Sequence, residues 1–199
     1  MWLVVGLGNP GTRYANHRHN IGFMAAEAIS AAFSFGSWSK KFHGQICTGE
    51  IGDDKIYTLL PETYMNESGR AVQAACTFHK IAPEHVIVLH DEIEIGAGKI
   101  RIKQGGGHGG HNGLKSIDAA IGPNYWRVRL GIGRPPELDN GERMDTADYV
   151  LSNFSAAEKK WLTLFLQSIA KHFSLLLSGY PSELMNRVTL EMKNHTWDD

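Results

Sequence analysis

Short apolar runs that suit buried strands alternate with segments of helical periodicity along most of this chain. The first run, at residues 2–7, leads into a Gly-Asn-Pro turn, and apolar residues then recur at helical spacing over 20–33. The same patterns predict further strands at 43–51, 55–60, 85–90, 99–103 and 126–132, and further helices at 66–79, 112–121, 155–177 and 182–192. Such alternation is typical of a sheet covered by helices on both faces.

Two of the predicted strands lie close enough in sequence to form an antiparallel pair. Only Gly-Asp-Asp at 52–54 separates 43–51 from 55–60, so the sheet is expected to be mixed rather than purely parallel. A length of 199 residues suits one domain, and no repeat or low-complexity linker divides the chain. We therefore predict one α/β domain over residues 1–199, with a twisted mixed β-sheet surrounded by α-helices.

The cysteines and the apolar runs bear on where the protein works. Cys47 and Cys76 have neither disulfide-framework nor zinc-finger spacing, which favours a reducing compartment. The apolar run at the N-terminus is far shorter than the ~20 residues of a membrane helix, and it lacks the basic residues of a targeting segment. We expect a soluble, cytoplasmic protein with no membrane partner.

Basic residues are concentrated in one part of a nearly neutral chain. The net charge is −1, yet residues 99–134 carry seven lysines and arginines against the single acidic Asp118. Such a block is a candidate footprint for phosphate groups, although a solvated face would produce the same pattern.

The sequence Gly-Leu-Gly-Asn-Pro-Gly at 6–11 formally matches the dinucleotide-binding fingerprint. That fingerprint requires a helix that begins within the motif and an acidic residue at the end of a second strand ~20 positions on. Here a turn follows instead, and the helical pattern begins near Asn20. A tight turn after a strand explains the glycines, and a nucleotide-dependent oxidoreductase remains only as an alternative.

Polar residues gather where the predicted strands and helices meet. His17 and His19 lie between the first turn and the first helix, Asn66 enters a helix, and Asp91 follows a buried strand. A His-x-His pair suggests a metal site, but no third ligand has convincing spacing. Asn66 also suits a helix cap, and Asp91 a loop start.

Six glycines fall within residues 105–113, just before His111 and Asn112 are succeeded by a predicted helix. A phosphate-binding Walker loop needs contiguous Gly-Lys-Ser, and Leu114 interrupts that order. The remaining interpretations are a backbone that approaches a ligand closely and a flexible loop without a function. The chain also lacks the Gly-x-Ser-x-Gly motif of a serine nucleophile, so a His–Asp pair would activate water directly, while asparagine amides donate to an oxyanion.

Taken together, these motifs resemble those of the bacterial-type peptidyl-tRNA hydrolase family along nearly the whole chain. The matching segments are 5–11, 18–22, 63–69, 90–92, 98–101, 105–114, 129–135, 149–151 and 186–187. The resemblance implies hydrolysis of the ester between an N-blocked peptide and tRNA, with peptidyl-tRNA as the partner molecule. It also implies a monomer without an obligate protein partner, with no metal and no other cofactor.

The resemblance also assigns roles to single residues. His19 would be the catalytic base that takes a proton from water, Asp91 the carboxylate that orients it, and Asn9 a substrate contact that helps select N-blocked groups. The other substrate-binding and tRNA-binding positions would be the amides Asn66 and Asn112, the aromatics Tyr14 and Tyr64, and the basic residues Lys103 and Arg129.

One region departs from the family pattern. Residues 136–148 are acidic, with Arg143 as their one basic residue, whereas some relatives are more basic here. The resemblance therefore implies no contact between this loop and tRNA. Besides the oxidoreductase, a non-catalytic RNA-binding module built on the basic block stays open as an alternative; it would bind tRNA without turnover.

Overall fold

The computed structural model describes residues 1–195, and they form a sheet of seven strands between two layers of helices. The strands are β1 (Trp2–Gly6), β2 (Ser39–Lys41), β3 (Gly44–Ile51), β4 (Asp54–Pro61), β5 (Val86–Glu92), β6 (Ile100–Gln104) and β7 (Trp126–Gly131). The α-helices are α1 (Ile21–Ala32), α2 (Ser68–His79), α3 (Asn112–Ile121), α4 (Thr146–Val150), α5 (Ala156–His172), α6 (Ser174–Leu177) and α7 (Pro181–Lys193). The predicted α/β class is therefore confirmed, and the last four residues of the predicted domain lie outside the described part.

The order of the strands shows why the sheet is mixed. They run β2-β3-β4-β1-β5-β7-β6, and β4, β1, β5 and β7 are parallel neighbours. The antiparallel strands lie outside this group, with β2 and β3 on one side and β6 on the other. The predicted pairing of β3 with β4 is confirmed over eight residue pairs, from Gly44 opposite Pro61 to Ile51 opposite Asp54.

Alternate residues of the central strands contribute to two separate apolar layers, one on each face of the sheet. Val4 of β1 faces a cluster that includes Phe165 of α5 and Val188 of α7, whereas Leu3 and Val5 face the layer of α2 and α3. All these side chains are buried, so each parallel strand is covered on both faces, as a strand with an unbroken apolar run requires. None of the helices within residues 1–195 combines the length and the apolar character needed to span a lipid bilayer.

The long C-terminal helix differs from its prediction in one respect. The capping box of Ser155 and Glu158 begins α5 as the sequence indicates. The helix predicted over 155–177 ends at His172, however, and α6 follows as a separate short turn. Phe173, at the junction, is completely buried.

Candidate active site

The polar residues of the sequence motifs converge where β1, β4 and β5 end. Helix α1 can begin above this edge because Gly22 has no side chain: a Cβ there would lie 2.3 Å from the carbonyl oxygen of Leu89 and 2.7 Å from the nitrogen of Leu7. A Cβ on Gly6 would meet the carbonyl oxygen of Gly22 at 2.5 Å. The glycines at 6 and 22 thus serve close helix–strand packing. No helix begins within residues 6–11, so the dinucleotide fingerprint lacks the geometry it needs.

His19 lies in a 3₁₀ turn (Arg18–Asn20) directly before α1, and its ring is held by Asp91 at the end of β5. Nδ1 of His19 is 2.9 Å from each carboxylate oxygen of Asp91. An ionised carboxylate only accepts hydrogen bonds, so Nδ1 carries the proton and donates. Nε2 of His19 is then left as an acceptor on a residue that lines the cleft. This is the tautomer that a general base requires.

His111 holds the same carboxylate from the opposite side. Its Nε2 lies 2.8 Å from Oδ1 of Asp91, while its Nδ1 accepts from the backbone N–H groups of Gly113 (3.1 Å) and Leu114 (3.4 Å). His111 is therefore the N-cap of α3 and a donor to Asp91 at once. The sequence alone predicts no role for His111. The one available signal was its position between a glycine run and a helix start.

The charges of this cluster follow from its burial and its hydrogen bonds. Burial opposes ionisation of Asp91, but the two histidines outweigh it and hold the pKa of Asp91 well below its ordinary value. Burial likewise lowers the pKa of His19, yet the charge of Asp91 and the hydrogen bond from His19 to that carboxylate more than offset this and raise the pKa. The third histidine, His90, packs edge-on against His111 at 5.2 Å. Burial and His111 lower its pKa to about 3, so it is neutral at neutral pH.

His19, Asp91 and His111 also form the kind of cluster that could hold a metal ion, with ligand atoms within 4.8 Å of one another. The hydrogen bonds argue against that use. A histidine that binds a metal through one ring nitrogen ordinarily donates an N–H from the other. The second nitrogen of His111 instead accepts two backbone N–H bonds, so its proton belongs on the nitrogen that faces Asp91. The three side chains are therefore better suited to two hydrogen bonds, one from each histidine to Asp91, than to binding a metal ion.

Asn9 is buried beside His19, and its amide has a fixed orientation. The backbone N–H of Met65 donates to Oδ1 of Asn9 at 2.9 Å, which points Nδ2, the donor end of the amide, away from that bond. Asn20 fixes the backbone of Asn9 by accepting from its N–H (3.0 Å) and donating to its carbonyl (2.9 Å). Asn20 is a supporting residue that the sequence analysis missed, although it directly follows His19.

These groups face a cleft of about 580 Å³. Of the predicted residues, the structure places Asn9, His19, Tyr64, Asn66, Asp91 and Asn112 in its lining. Tyr64 is 63% exposed at the rim. Tyr14 is not among the lining residues; it packs edge-on against His17 at 5.3 Å. The structure therefore does not bring Tyr14 into the cleft.

The two predicted amides, Asn66 and Asn112, are exposed in the cleft. The alternative interpretation of Asn66 as a helix cap is wrong. It lies inside a 3₁₀ turn (Met65–Glu67), and Glu67 occupies the cap position of α2 without a side-chain bond. Asn112 is the first residue of α3, whose cap is His111.

Another part of the cleft lining comes from the end of the acidic segment and the residues that follow it. Asp145 caps the short helix α4, and Val150 and Leu151 add apolar surface. Arg18 ties this part of the lining to the His19 turn: it donates to Ser152 (2.6 Å), to the carbonyl of Asn153 (2.8 Å) and to both carboxylate oxygens of Glu158 (2.9 and 2.7 Å). Arg18 was not predicted as a site residue. A basic side chain beside His19 gives no sign in the sequence that it will be buried.

Lys103 and Arg129 lie together in a second hollow of about 250 Å³. It shares Glu92 and Gly109 with the larger cleft, so the two are adjacent. Arg129 donates to Oε1 of Glu92 from Nε (3.0 Å) and Nη2 (2.7 Å). The basic block does not act as one surface, however, because Arg127 is only 1% exposed.

Comparisons with known proteins agree with this architecture. The sequence model of a family described as "Peptidyl-tRNA hydrolase" matches residues 3–196. A peptidyl-tRNA hydrolase of Rhodospirillum rubrum is 50% identical over 193 residues, which cover 97% of this chain and 77% of that one. One of Methylobacterium nodulans is 48% identical, covering 100% of this chain and 96% of that one. The crystal structure of peptidyl-tRNA hydrolase from Acinetobacter baumannii superposes with a TM-score of 0.84 at 38% identity, covering 94% of each chain.

Proposed function

The chain belongs to the peptidyl-tRNA hydrolase family, and we propose that its hydrolysis of peptidyl-tRNA proceeds through a water molecule that His19 activates. The observation that carries this mechanism is the bond between Nδ1 of His19 and Asp91, which leaves Nε2 as the proton acceptor in the cleft. A base in that position is expected to contribute about 10²–10⁴-fold in rate.

The first step forms a tetrahedral intermediate. Nε2 of His19 takes a proton from water while the water oxygen bonds to the carbonyl carbon of the ester. The resulting imidazolium faces the ionised Asp91, whose charge raises the pKa of His19 and so stabilises this protonated form. The carbonyl oxygen gains the negative charge and needs a donor.

Asn9 is the best-oriented donor for that oxyanion. Its Oδ1 is occupied by Met65 N–H, so its Nδ2 is held in one direction before substrate arrives. Asn66 and Asn112 are exposed and have no comparable bond within residues 1–195, so they are better suited to binding other parts of the substrate. A donor that is oriented in advance costs no reorganisation during the reaction.

The second step releases the products. The bond between the carbonyl carbon and the ribose oxygen breaks, and the imidazolium of His19 returns its proton to that oxygen. Peptide acid and tRNA hydroxyl leave, and the base is regenerated. In this proposal Lys103 and Arg129, which line the adjacent hollow, bind phosphates of the tRNA, and Tyr64, which lines the cleft, contacts its 3′ end or the peptide.

We propose further that the enzyme is a cytoplasmic monomer, that residues 1–199 form one domain, and that it uses no cofactor. Two unbridged, buried thiols at Cys47 and Cys76 support a reducing compartment. The hydrogen bonds of His111 support chemistry without a metal ion.

The test is release of a labelled N-acetyl-aminoacyl group from tRNA by wild type and by His19→Ala, with tRNA binding measured in parallel. Cleavage by wild type, together with a variant that binds but scarcely turns over, is the expected result. Equal cleavage by both would rule out His19 as the base. Binding without cleavage by either would favour the RNA-binding alternative.

A further inference from the structure

Arg127 is a cation of the basic block that borders the second hollow but has almost no exposed surface. Its side chain is 1% exposed, and it is the largest of the fully buried side chains in residues 1–195. A buried charge is costly unless it is paired and hydrogen-bonded. We therefore expect Arg127 to have a structural role inside the protein.

The hydrogen-bond partners of Arg127 identify this role. One amino group (Nη2) donates to the carbonyl oxygen of Gly106 (2.8 Å) and to Oδ1 of Asp118 (3.1 Å), and the other (Nη1) donates to the carbonyl oxygen of Gly107 (3.1 Å). The hydroxyl of Tyr125 donates to the same Oδ1 of Asp118 at 2.7 Å, and its ring packs 4.4 Å from the guanidinium carbon. Two of these acceptors are backbone carbonyls at the start of the glycine loop, residues 105–111.

The glycine loop has few hydrogen bonds of its own: the N–H of Gly110 donates to Nδ1 of His108 (3.0 Å), and the N–H of His111 donates to the carbonyl oxygen of His108 (2.9 Å). Gly105, Gly106, Gly109 and Gly110 all have positive φ (70°, 104°, 57° and 84°). Glycine occupies many backbone conformations at similar cost, so ordering such a loop requires outside contacts. Arg127 supplies such contacts at the first turn of the loop, and the hydrogen bonds of His111 hold the other end of the loop.

The position of this loop matters because it lines both hollows. Gly109 and Gly110 face the larger cleft, and Gly107 and His108 face the smaller one. The loop leads directly into His111, which donates to Asp91, and into Asn112 at the cleft. A shift of the loop would therefore reach the reacting groups. It would also move the surface against which Lys103 packs at Gly106, but Lys103 and Arg129 would keep their charges.

We propose that Arg127 is a positioning residue for the hydrolysis, one that acts only through the glycine loop on His111 and Asn112. The proposal rests on the function proposed above. Arg127 itself touches neither the peptide nor the tRNA. Without its guanidinium, the loop populates other conformations, and only a fraction of the enzyme has the arrangement that supports Asp91.

Three arginine variants test this role. Arg127→Met removes the donors but keeps an unbranched apolar chain, Arg127→Lys keeps the charge without the planar fork, and Arg187→Met is the control. Arg187 is an exposed arginine on α7 that pairs with Glu183. For each, we would measure kcat and KM on N-acetyl-aminoacyl-tRNA, tRNA affinity over a salt series, and the melting temperature.

We expect Arg127→Met to lower kcat by roughly 10- to 100-fold, because small misplacements in an active site have effects of that size. Its tRNA affinity and the salt dependence of that affinity should stay close to wild type. Arg127→Lys should regain part of the lost kcat, since one ammonium can reach some of the same oxygens. Arg187→Met should match wild type throughout.

Two results would overturn the proposal. A folded Arg127→Met with wild-type kcat would make the residue purely structural. A loss of tRNA affinity with a reduced salt slope would mean that Arg127 contacts phosphate.

If Arg127→Met does not fold, Asp118→Asn carries the same test, because it weakens the hold on the guanidinium from a partly exposed position. A wild type that releases no aminoacyl group overturns the proposed function and this inference together, whereas an active wild type with an unimpaired variant overturns this inference alone.

Discussion

Nδ1 of His19 lies 2.9 Å from each carboxylate oxygen of Asp91, although 72 positions separate the two residues in the chain. The parallel pairing of β1 with β5 brings them together, because Asp91 lies at the carboxyl end of β5 and His19 lies in the connection that follows β1. The carboxylate fixes the tautomer of the ring and raises its pKa. Both effects can be measured in one variant.

Replacement of Asp91 by Asn should change the pH profile of the reaction as well as its rate. His19 acts as a base only when unprotonated, so kcat rises as the pH passes through its pKa. In Asp91→Asn the charge that raises this pKa is gone and burial, which lowers it, remains. The acidic limb of the profile should move to lower pH, and the plateau should fall by roughly 10²-fold. A limb that stays in place or moves to higher pH would contradict the assignment.

His111 has two tasks that two substitutions can separate. His111→Ala removes both the cap of α3 and the donor to Asp91, whereas His111→Asn keeps a good cap but is too short to reach Asp91. We expect both to lose activity, by about 10-fold, since one hydrogen bond to a charged group is lost. The Ala variant should lose about 1 kcal/mol more of its unfolding free energy than the Asn variant, because it alone also loses the cap. Urea denaturation and initial rates would show this, and an active Asn variant would reduce His111 to a cap.

The sequence predicts the elements with strong periodicity well. The predicted bounds of α3 agree with the structure, and the other predicted strands and helices lie within a few residues of the observed ones, apart from the break after His172. Strand β2 was missed because Ser39, Lys40 and Lys41 have no apolar alternation; the strand exists only through pairing with β3. Helix α4 was missed because it spans five residues and depends on the cap of Asp145 and on the buried ring of Tyr149.

In the candidate site, too, some features could be predicted from the sequence and others could not. His19 and Asp91 could be paired from the sequence because each follows a strand end, where α/β folds gather functional groups. The burial of Arg127 and Arg18, and the contact of His111 with Asp91, depend on packing between distant elements. Sequence patterns describe one element at a time, so they leave a buried arginine indistinguishable from one on a solvated face.

Arg18 should matter to stability far more than an exposed arginine with a similar partner. Its bidentate bond to Glu158 is largely removed from water, with 11% and 25% of the two side chains exposed. Arg18→Met leaves Glu158 without its cation and should cost about 3–5 kcal/mol of unfolding free energy. The control is Arg134→Met, whose pair with Glu94 is 61% and 53% exposed and should cost no more than about 1 kcal/mol. Equal losses of unfolding free energy in urea denaturation would show that burial of the Arg18 pair does not increase its contribution to stability.

Lys103 and Arg129 should set the salt dependence of tRNA binding. Each phosphate contact that is lost should lower the slope of log affinity against log salt by about 1, so Lys103→Gln and Arg129→Gln should each show that change, and the double variant about twice as much. Arg129 is already bonded to Glu92, and a phosphate must compete with that carboxylate. Glu92→Gln should therefore strengthen tRNA binding while Arg187→Gln leaves it unchanged. If neither basic variant alters the slope, the second hollow does not bind tRNA, and the phosphates contact another face of the protein.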